Sequence, residues 1–277
     1  MKKYNLKPNK ALGQNFLIDE EVLEDIVKAA DVSNEDLVIE IGPGLGTLTN
    51  LLLEKAKKVI CIELDERMLA ILQERFTFYN NFELIHEDVL KVDLKKIIKE
   101  ERENSQIQKV KIVANLPYYI TTPIIMKLLE ERLDIDSITV MIQKEVAKRL
   151  TAIPGKKDTG AITYTVSYYA NPKEVRIVPS TAFIPAPDVD SEVITLEIRK
   201  EPQVKVLNEK LFFSVIKASF MQRRKTLMNG LINGNISVKK EELENILKEL
   251  GIDIRVRGEN LSLEQFAQIA DEIEKRK

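Results

Sequence analysis

The sequence has little of two residues on which many active sites depend. Among its 277 residues it contains one cysteine, Cys61, and one histidine, His86. A single cysteine excludes an internal disulfide and makes the cytoplasm the default location. With one histidine, beside the end of a predicted strand, we expect neither catalysis by histidine nor a metal site built on it. We therefore expect chemistry that needs no bound metal.

Long apolar runs are also missing. No run approaches the roughly 18 residues that a membrane span requires. The first residues, Met1-Lys2-Lys3-Tyr4, are basic but lack the apolar segment of a secretion signal. With 44% hydrophobic and 31% charged residues, the composition is that of a soluble globular protein that can bury a full core. We expect a monomer that makes no membrane contact.

The net charge of −2 argues against a protein that binds polyanions over its whole surface. The charge is unevenly distributed, however. Residues 200–277 carry 15 Lys/Arg and 12 Asp/Glu, a balance of +3, against −5 for residues 1–199. The first ten residues add four lysines and no acid. Basic charge at the two ends fits local contacts with a phosphate backbone, although a solvated surface would look similar.

Four buried strands, each followed by a turn and a helical pattern, are predicted in the first half of the chain. They cover residues 37–41, 58–62, 82–85 and 110–114. This alternation predicts a doubly wound parallel sheet that binds ligands at the carboxyl ends of its strands. Beyond about residue 200, helical periodicity takes over. We predict an α/β domain at 1–199, with a basic arm at 1–20, and a smaller all-helical domain at 200–277.

Glycines or polar residues follow each of these strands. Gly42 and Gly44 lie in a turn where the backbone can approach a ligand closely. Glu63 and Asp88 follow the next two strands, and an acid at the first of these points typically bonds the hydroxyls of an adenosine ribose. A solvated loop would explain either acid alone, but recurrence over four strands favours a ligand site. The glycine spacing, interrupted by Pro43, departs from the dinucleotide fingerprint.

The fourth strand ends in Asn115-Leu116-Pro117-Tyr118. The Asn115 side chain offers a carbonyl acceptor, and Pro117 restrains Leu116 so that the Leu116 carbonyl has a fixed direction. Tyr118 offers a flat face on which a base can stack. Two acceptors beside a ring suit a planar heterocycle with an exocyclic amine, and adenine is the obvious candidate. An ordinary turn with a buried tyrosine is the alternative.

Two later segments, a loop with two prolines and a run of three cations, are also candidates for contact with a substrate. In Phe183-Ile184-Pro185-Ala186-Pro187, two prolines stiffen a loop and can direct the Phe183 ring toward the active edge of the sheet. Arg223, Arg224 and Lys225 are consecutive cations at a predicted helix end, where they can grip phosphates. A solvent-exposed helix end is the alternative for these cations.

Together these motifs resemble those of the rRNA adenine N6,N6-dimethyltransferases, in particular the bacterial small-subunit members linked to kasugamycin resistance. The resemblance implies a Rossmann-like methyltransferase sheet that uses S-adenosylmethionine. It implies dimethylation of the exocyclic amine of two adjacent adenosines in small-subunit rRNA, on a precursor of the small ribosomal subunit. A role in ribosome biogenesis would follow. The segments that carry the resemblance are residues 13–17, 40–46, 63, 88, 115–118, 183–187 and 222–227.

The resemblance also implies roles for individual residues. Glu63 would bind the cofactor ribose, Asp88 would bind its adenine amine, and Asn115 would bridge cofactor and target base. The implied cofactor-binding residues are Asn15, Leu17, Glu40, Gly42, Gly44, Glu63, Leu64, Asp88, Val89 and Asn115. The implied catalytic residues are Asn115, Leu116, Pro117, Tyr118 and Phe183, with Tyr118 and Phe183 holding an unstacked base between them. The implied RNA-binding residues are Arg223, Arg224 and Lys225.

Other functions stay open. A nicotinamide dehydrogenase on the same kind of sheet would need a full diphosphate-binding glycine pattern and a hydride-transfer residue, and neither is visible. A large-subunit rRNA methyltransferase and a DNA adenine methyltransferase would share the chemistry. An RNA-binding assembly factor without turnover would share the fold, although an intact Asn115 to Tyr118 stretch argues for activity.

Overall fold

The computed structural model describes residues 13–156, 158–222, 225–234 and 236–277. The first twelve residues of the arm, with their four lysines, lie outside this description. The strands are β1 (Phe16–Leu17), β2 (Asp36–Ile41), β3 (Lys58–Glu63), β4 (Phe82–His86), β5 (Lys109–Asn115), β6 (Ser137–Gln143), β7 (Ala170–Val178), β8 (Phe183–Ile184) and β9 (Ser191–Ile198). The α-helices are α1 (Glu20–Ala29), α2 (Thr47–Leu53), α3 (Glu66–Phe76), α4 (Leu94–Ser105), α5 (Thr121–Glu130), α6 (Lys144–Thr151), α7 (Ala161–Tyr169), α8 (Glu209–Met221), α9 (Leu227–Asn233), α10 (Lys240–Glu249) and α11 (Leu263–Lys275).

The chain folds into two compact units. The first consists of Met1–Ala147 and Pro172–Ile198, and the second of Lys148–Asn171 and Arg199–Lys277. The last passage between the units lies between Ile198 and Arg199, one residue before the predicted boundary between residues 199 and 200. Residues 148–171, however, belong to the second unit, whereas the sequence placed them in the first. Among the described residues, no helix is both long and apolar enough to cross a membrane.

A seven-stranded sheet forms the centre of the first unit, in the order β4-β3-β2-β5-β6-β9-β7. Strand β2 pairs in parallel with both β3 and β5, and β4 and β6 extend the parallel pairing outward. Strand β9 runs antiparallel to β6. The strand order therefore reverses between β2 and β5, at the switch point where open α/β sheets bind ligands. The predicted α/β class is confirmed.

The central strands are continuous apolar runs because helices cover both faces of the sheet. Leu37, Val38 and Ile39 of β2 are fully buried. Ile39 lies beside Ile60 of β3 and Ile112 of β5 in the parallel register. This register brings the carboxyl ends of the three strands level with one another, where the sequence places its glycines, acids and asparagine.

A buried ion pair joins β2 and β5 near their amino ends. Lys111 Nζ lies 3.0 Å from Asp36 Oδ2, and both residues are almost completely excluded from solvent. Asp36 Oδ2 also accepts the Ser33 N–H at 2.8 Å. The charge on each partner is thus compensated, as a buried charge requires.

Helix α2 begins on a backbone conformation that selects glycine. Asp19, Asp65 and Asp93 accept backbone N–H groups in the first turns of α1, α3 and α4, as N-cap residues do. By contrast, α2 follows Gly46, which has a φ of 76° and no side-chain cap. A Cβ at Gly46 would lie 2.6 Å from the Phe76 ring, so glycine also lets α3 pack close to the turn.

A two-stranded antiparallel ribbon anchors the arm. Phe16 lies opposite Ile184, and Leu17 opposite Phe183. Leu17 and Phe183 are buried in the core of the first unit, while Ile184 is largely exposed. This alternation follows from strand geometry, in which successive side chains point to opposite faces.

The second unit is built on α7 to α11. Tyr164 of α7 is fully buried; its ring packs edge-on against Phe266 of α11, with 4.9 Å between centroids. Its hydroxyl donates to the Leu261 carbonyl at 2.7 Å, and burial raises the pKa of the phenol to about 12. The α7 sequence is apolar or hydroxylated on every side. It therefore has no polar face whose period would reveal the helix.

Candidate active site

A cavity opens at the carboxyl ends of β2 to β5. Its empty volume, including the part open to solvent, is about 1140 Å³. The lining includes residues 13–17 of the arm, the glycine turn after β2, the ends of β3 and β4, and the loop after β5. The structure brings together all ten residues expected to bind a cofactor: Asn15, Leu17, Glu40, Gly42, Gly44, Glu63, Leu64, Asp88, Val89 and Asn115. Of the residues expected to be catalytic, Asn115, Leu116, Pro117 and Tyr118 also line the cavity.

Glu63 joins the end of β3 to the glycine turn. Its Oε2 accepts the Gly44 N–H at 3.1 Å, and its Oε1 accepts those of Leu64 and Asp65 at 2.8 and 2.9 Å. Burial raises the pKa of the Glu63 carboxyl, and the N–H donors oppose that rise. Since a carboxylate can accept about four hydrogen bonds, one position stays available on Oε2.

Gly42 provides an open approach to the backbone beside this carboxylate. It has a φ of 67°, and a Cβ there would meet nothing within 4 Å. Its N–H donates to the Ile62 carbonyl at 2.9 Å, which holds the turn against β3. A ligand can therefore lie against the main chain at this point.

Asp88 is half-buried after the end of β4. Its Oδ1 accepts the Leu90 N–H at 3.0 Å, and within the described ranges its Oδ2 has no hydrogen-bond partner. Leu64, which is almost half exposed, and buried Val89 line the same cavity. The cavity thus combines acceptors for amines or hydroxyls with apolar surface for a flat ring.

Glu40 is a buried carboxyl with no cation beside it among the described residues. Thr49 Oγ1 donates to its Oε2 at 2.6 Å, and Cys61 Sγ lies 3.4 Å from the same oxygen. Burial raises the pKa of Glu40 to about 7, although both donors lower it. Burial also raises the pKa of the Cys61 thiol well above its ordinary value, so the thiol stays protonated.

The arm is hydrogen-bonded to two sides of the cavity. Gln14 Nε2 donates to Asp65 Oδ2 at 2.7 Å, and Arg67 Nε donates to Oδ1 of the same carboxylate at 2.9 Å. The Arg67 guanidinium holds the pKa of Asp65 below its ordinary value. On the other side, Asn115 Nδ2 donates to the Asn15 carbonyl at 3.4 Å. Asp65 and Arg67 were not predicted from the sequence, where they carry no signal beyond following Glu63 closely.

The loop after β5 uses some of its polar groups and leaves others without partners. The Pro117 carbonyl accepts the Ile120 N–H at 3.2 Å and the Thr121 hydroxyl at 3.0 Å. The Leu116 N–H donates to Met141 of β6 at 3.1 Å. In the part of the chain that the structure describes, neither Asn115 Oδ1 nor the Leu116 carbonyl accepts a hydrogen bond. Two neighbouring acceptors are thus available at the cavity.

Tyr118 is fixed by its hydroxyl. The phenol oxygen lies 2.6 Å from Ser191 Oγ at the start of β9. Burial raises the pKa of Tyr118, so the ring stays neutral. Because the hydroxyl bond holds one end of the half-buried ring, the ring can serve as a rigid face beside Asn115.

At Phe183 the structure differs from expectation. Its side chain is 3% exposed, packs in the core and does not line the cavity. Its register opposite Leu17 turns it inward, because both residues lie on the core-facing side of the ribbon. Phe16 lines the cavity instead, and a Cβ on Gly44 would lie 3.3 Å from its ring. The β1–β8 register determines this orientation, and no sequence pattern indicates that these short strands pair.

The structure describes one of the three cations expected to bind RNA. Lys225 is exposed in the turn before α9, and its N–H donates to the Gln222 carbonyl at 2.8 Å. Arg223 and Arg224 lie outside the described residues. Over the described ranges, no group of three or more His, Cys, Asp or Glu residues is placed to hold a metal ion.

Comparison with known proteins covers almost the whole chain. A family model described as Ribosomal RNA adenine dimethylase matches residues 5–275. A Clostridium botulinum protein named Ribosomal RNA small subunit methyltransferase A is 53% identical over 269 residues, which are 97% of this chain and 95% of that protein. A Clostridium acetobutylicum protein of the same name is 52% identical over 273 residues, covering 99% and 96% of the two chains.

Solved structures show the same architecture. A dimethyladenosine transferase from Plasmodium falciparum superposes with a TM-score of 0.77 at 27% identity, covering 94% of this chain and 98% of that one. The 23S rRNA methyltransferase ErmE has a TM-score of 0.71 at 24% identity, covering 94% and 100%, and supports the fold alone. The resemblance seen in the motifs is therefore confirmed: the chain belongs to the ribosomal RNA adenine dimethylase family and is a methyltransferase that uses S-adenosylmethionine.

Proposed function

We propose that this chain dimethylates the exocyclic amines of two adjacent adenosines in the RNA of the small ribosomal subunit. Relatives that share about half of its residues over nearly their full length are named small subunit methyltransferases. We further propose that it acts as a monomer on a precursor of that subunit, during ribosome biogenesis.

The pair of unpartnered acceptors after β5 carries this proposal. An adenine amine is a poor nucleophile, because its lone pair is delocalised into the ring. If Asn115 Oδ1 and the Leu116 carbonyl accept its two N–H groups, a pyramidal nitrogen with a localised lone pair is favoured. The Asn15 carbonyl engages Asn115 Nδ2 and so helps to keep Oδ1 available as an acceptor. Such positioning can contribute roughly 7–11 kcal/mol to catalysis.

The cavity also fits the methyl donor. The remaining acceptor position of Glu63 suits a ribose hydroxyl, and the free Asp88 Oδ2 suits an exocyclic amine. Gly42 admits the ligand to the main chain. When bound, S-adenosylmethionine supplies an electrophilic methyl group on its sulfonium.

The target base must leave its helical stack to reach Asn115. Tyr118, held by Ser191, offers a fixed face for it. Stacking on Phe183 as well would require the β1–β8 ribbon to open, since that side chain is packed in the core. In the first transfer the nitrogen gains a methyl group and releases one proton to solvent. One N–H remains, and either of the two acceptors can orient it for the second transfer.

We assign Arg223, Arg224 and Lys225 to the RNA backbone. The support is their adjacency in the sequence and the exposure of Lys225. These cations would hold phosphates without reading bases, because cationic side chains make sequence-independent contacts with a phosphate backbone.

The substrate is tested by labelled methyl transfer to four acceptors: unmethylated small subunits, methylated small subunits, large subunits and duplex DNA. We expect only unmethylated small subunits to accept, at close to four methyl groups each, because two amines take two methyls apiece. Transfer to large subunits or DNA at a similar rate would contradict the proposed substrate. S-adenosylmethionine binding without transfer to any acceptor would favour a role in assembly alone.

Removing the acceptor at Asn115 separates chemistry from binding. We expect Asn115→Ala to fold, to bind small subunits, and to lose about 10²–10³ in transfer rate, as loss of a preorganised polar group commonly does. Asn115→Asp keeps an acceptor and should retain more activity than Ala. Single-turnover transfer at saturating cofactor and RNA gives the comparison. A rate near that of the wild type in Asn115→Ala would rule out the catalytic role.

Glu63 is tested through cofactor affinity. We expect Glu63→Ala to weaken S-adenosylmethionine binding by about 1.5–3 kcal/mol, the usual value of a hydrogen bond to a charged group. Glu66→Ala removes an exposed acid that does not line the cavity and serves as the matched control. Calorimetric titration measures both, and thermal unfolding without ligand reports any collapse of the glycine turn. Equal affinities for wild type and Glu63→Ala would remove this assignment.

The basic segment is tested through the salt dependence of RNA binding. The affinity of RNA binding falls as salt rises, so the slope of log K against log salt is negative. Replacing Arg223, Arg224 and Lys225 by glutamine should make this slope shallower by up to about 2, at about 0.7 per phosphate contact. A control triple removes exposed lysines elsewhere in the second unit, Lys200, Lys239 and Lys240. Cofactor affinity should stay constant in both. If the two triples have the same slope, the segment has no special role in RNA binding.

A further inference from the structure

Tyr119 is an exposed aromatic ring at the cavity, and it belongs neither to the proposed amine acceptors nor to the proposed cofactor contacts. The residue is 57% exposed and lines the same cavity as Asn115. Among the tyrosines that the structure describes, it alone is exposed. Tyr118, its neighbour in sequence, is half-buried and bonded through its hydroxyl. The two rings therefore have different environments although they lie side by side in the chain.

The Tyr119 ring has a defined position as well as an exposed surface. Gly13 of the arm has a φ of 60°, and a Cβ there would lie 3.3 Å from Tyr119 Cδ1 and 3.8 Å from Pro117 Cβ. The arm backbone thus packs against part of the ring. The loop that carries Tyr119 is held by the two hydrogen bonds to the Pro117 carbonyl, and α5 begins two residues later. An exposed ring on a short, anchored loop loses little freedom when it binds a flat partner.

The proposed substrate supplies such a partner. When one adenosine is unstacked to reach Asn115, the adjacent base loses a stacking neighbour at the mouth of the cavity. An aromatic side chain can replace that neighbour, and stacking of this kind tolerates any base, because every base has a π-face. Within the described part of the chain the Tyr119 hydroxyl has no hydrogen-bond partner, so stacking requires the ring alone.

We propose that Tyr119 stacks on the nucleotide next to the adenosine being methylated and so positions the RNA for transfer to both adjacent adenosines. This inference rests on the proposed function. Tyr119 is then a specificity-determining residue: it does not act on the reacting amine, and it does not bind the cofactor. Removing the ring should raise the KM for RNA and lower the fraction of RNA in which the second adenosine is also methylated.

Three variants test the proposal, with unmethylated small ribosomal subunits as substrate. Tyr119→Ala removes the ring, and Tyr119→Phe keeps it without the hydroxyl. Phe78→Ala removes the other strongly exposed aromatic among the described residues of the first unit; it is 92% exposed and does not line the cavity. Each is assayed for S-adenosylmethionine affinity by calorimetry, for KM and kcat in transfer, and for the methylation of each adenosine by mass spectrometry.

We expect Tyr119→Ala to raise the KM for subunits by about 5- to 150-fold, the range that loss of one base–aromatic stack allows. Cofactor affinity should be unchanged, and the share of subunits with only one dimethylated adenosine should increase. Tyr119→Phe and Phe78→Ala should behave like the wild type. This pattern distinguishes stacking from a general effect of removing surface aromatic area.

Three results would overturn the proposal. Wild-type KM in Tyr119→Ala would show that the ring makes no contact with RNA. A loss of cofactor affinity that accounts for the whole defect would mean that Tyr119 supports the arm through Gly13. A defect in Tyr119→Phe equal to that in Tyr119→Ala would place the function in the hydroxyl. If wild-type protein fails to methylate small subunits, the proposed function itself fails, which is distinct from all three.

Discussion

The buried pairing of Lys111 with Asp36 joins the two strands between which the sheet reverses its order. A slip of one residue between β2 and β5 would turn every side chain of one strand to the opposite face. It would also separate two buried charges, and leaving one of them without its partner costs about 3–5 kcal/mol. The ion pair thus specifies the register near the amino ends of β2 and β5, whereas the cavity lies at their carboxyl ends. Because the register is specified, the carboxyl ends of the two strands lie side by side, and the site depends on this alignment.

Within the cavity, polar groups divide into those that hold the protein together and those left for ligands. The Glu63 carboxylate supports the glycine turn and keeps one acceptor position. The Pro117 carbonyl is fully occupied, whereas that of Leu116, one residue earlier, accepts no hydrogen bond in the described chain. The main chain of this loop therefore provides both rigidity, through the Pro117 carbonyl, and an available acceptor, through the Leu116 carbonyl. The proposed methylation site uses such acceptors and requires no histidine.

The sequence predicted the sheet and most of the cavity because both depend on local patterns. Apolar runs of strand length and the residues that follow them determine which side chains reach the carboxyl edge, as Gly42, Glu63, Asp88 and Asn115 illustrate. Phe183 could not be placed in this way. Its orientation depends on a two-residue ribbon formed with Leu17, which lies more than 160 residues earlier in the chain, and neither short strand has a pattern of its own.

Helix α7 was not predicted from the sequence, for a different reason. Its residues are buried on all sides in the second unit, so the contrast between faces that marks a helix at a surface is absent. The hydrogen bond between Gln14 of the arm and Asp65 was not predicted either, because these residues meet only once the chain has folded. In this chain the sequence predicts which residues lie at the carboxyl end of each strand. Contacts between distant, short or uniformly buried segments require the structure.

The environment of Glu40 has a consequence for the stability of the fold. Its pKa in the folded protein is about 7, above the ordinary value of 4.5, because burial favours the neutral form. Between these two values the folded chain holds a proton that the unfolded chain has released. The stability that the neutral carboxyl contributes is therefore complete below about pH 4.5 and is lost as the pH rises through 7. The strand that leads into the glycine turn thus carries a carboxyl whose loss of a proton, as the pH rises through about 7, weakens the fold.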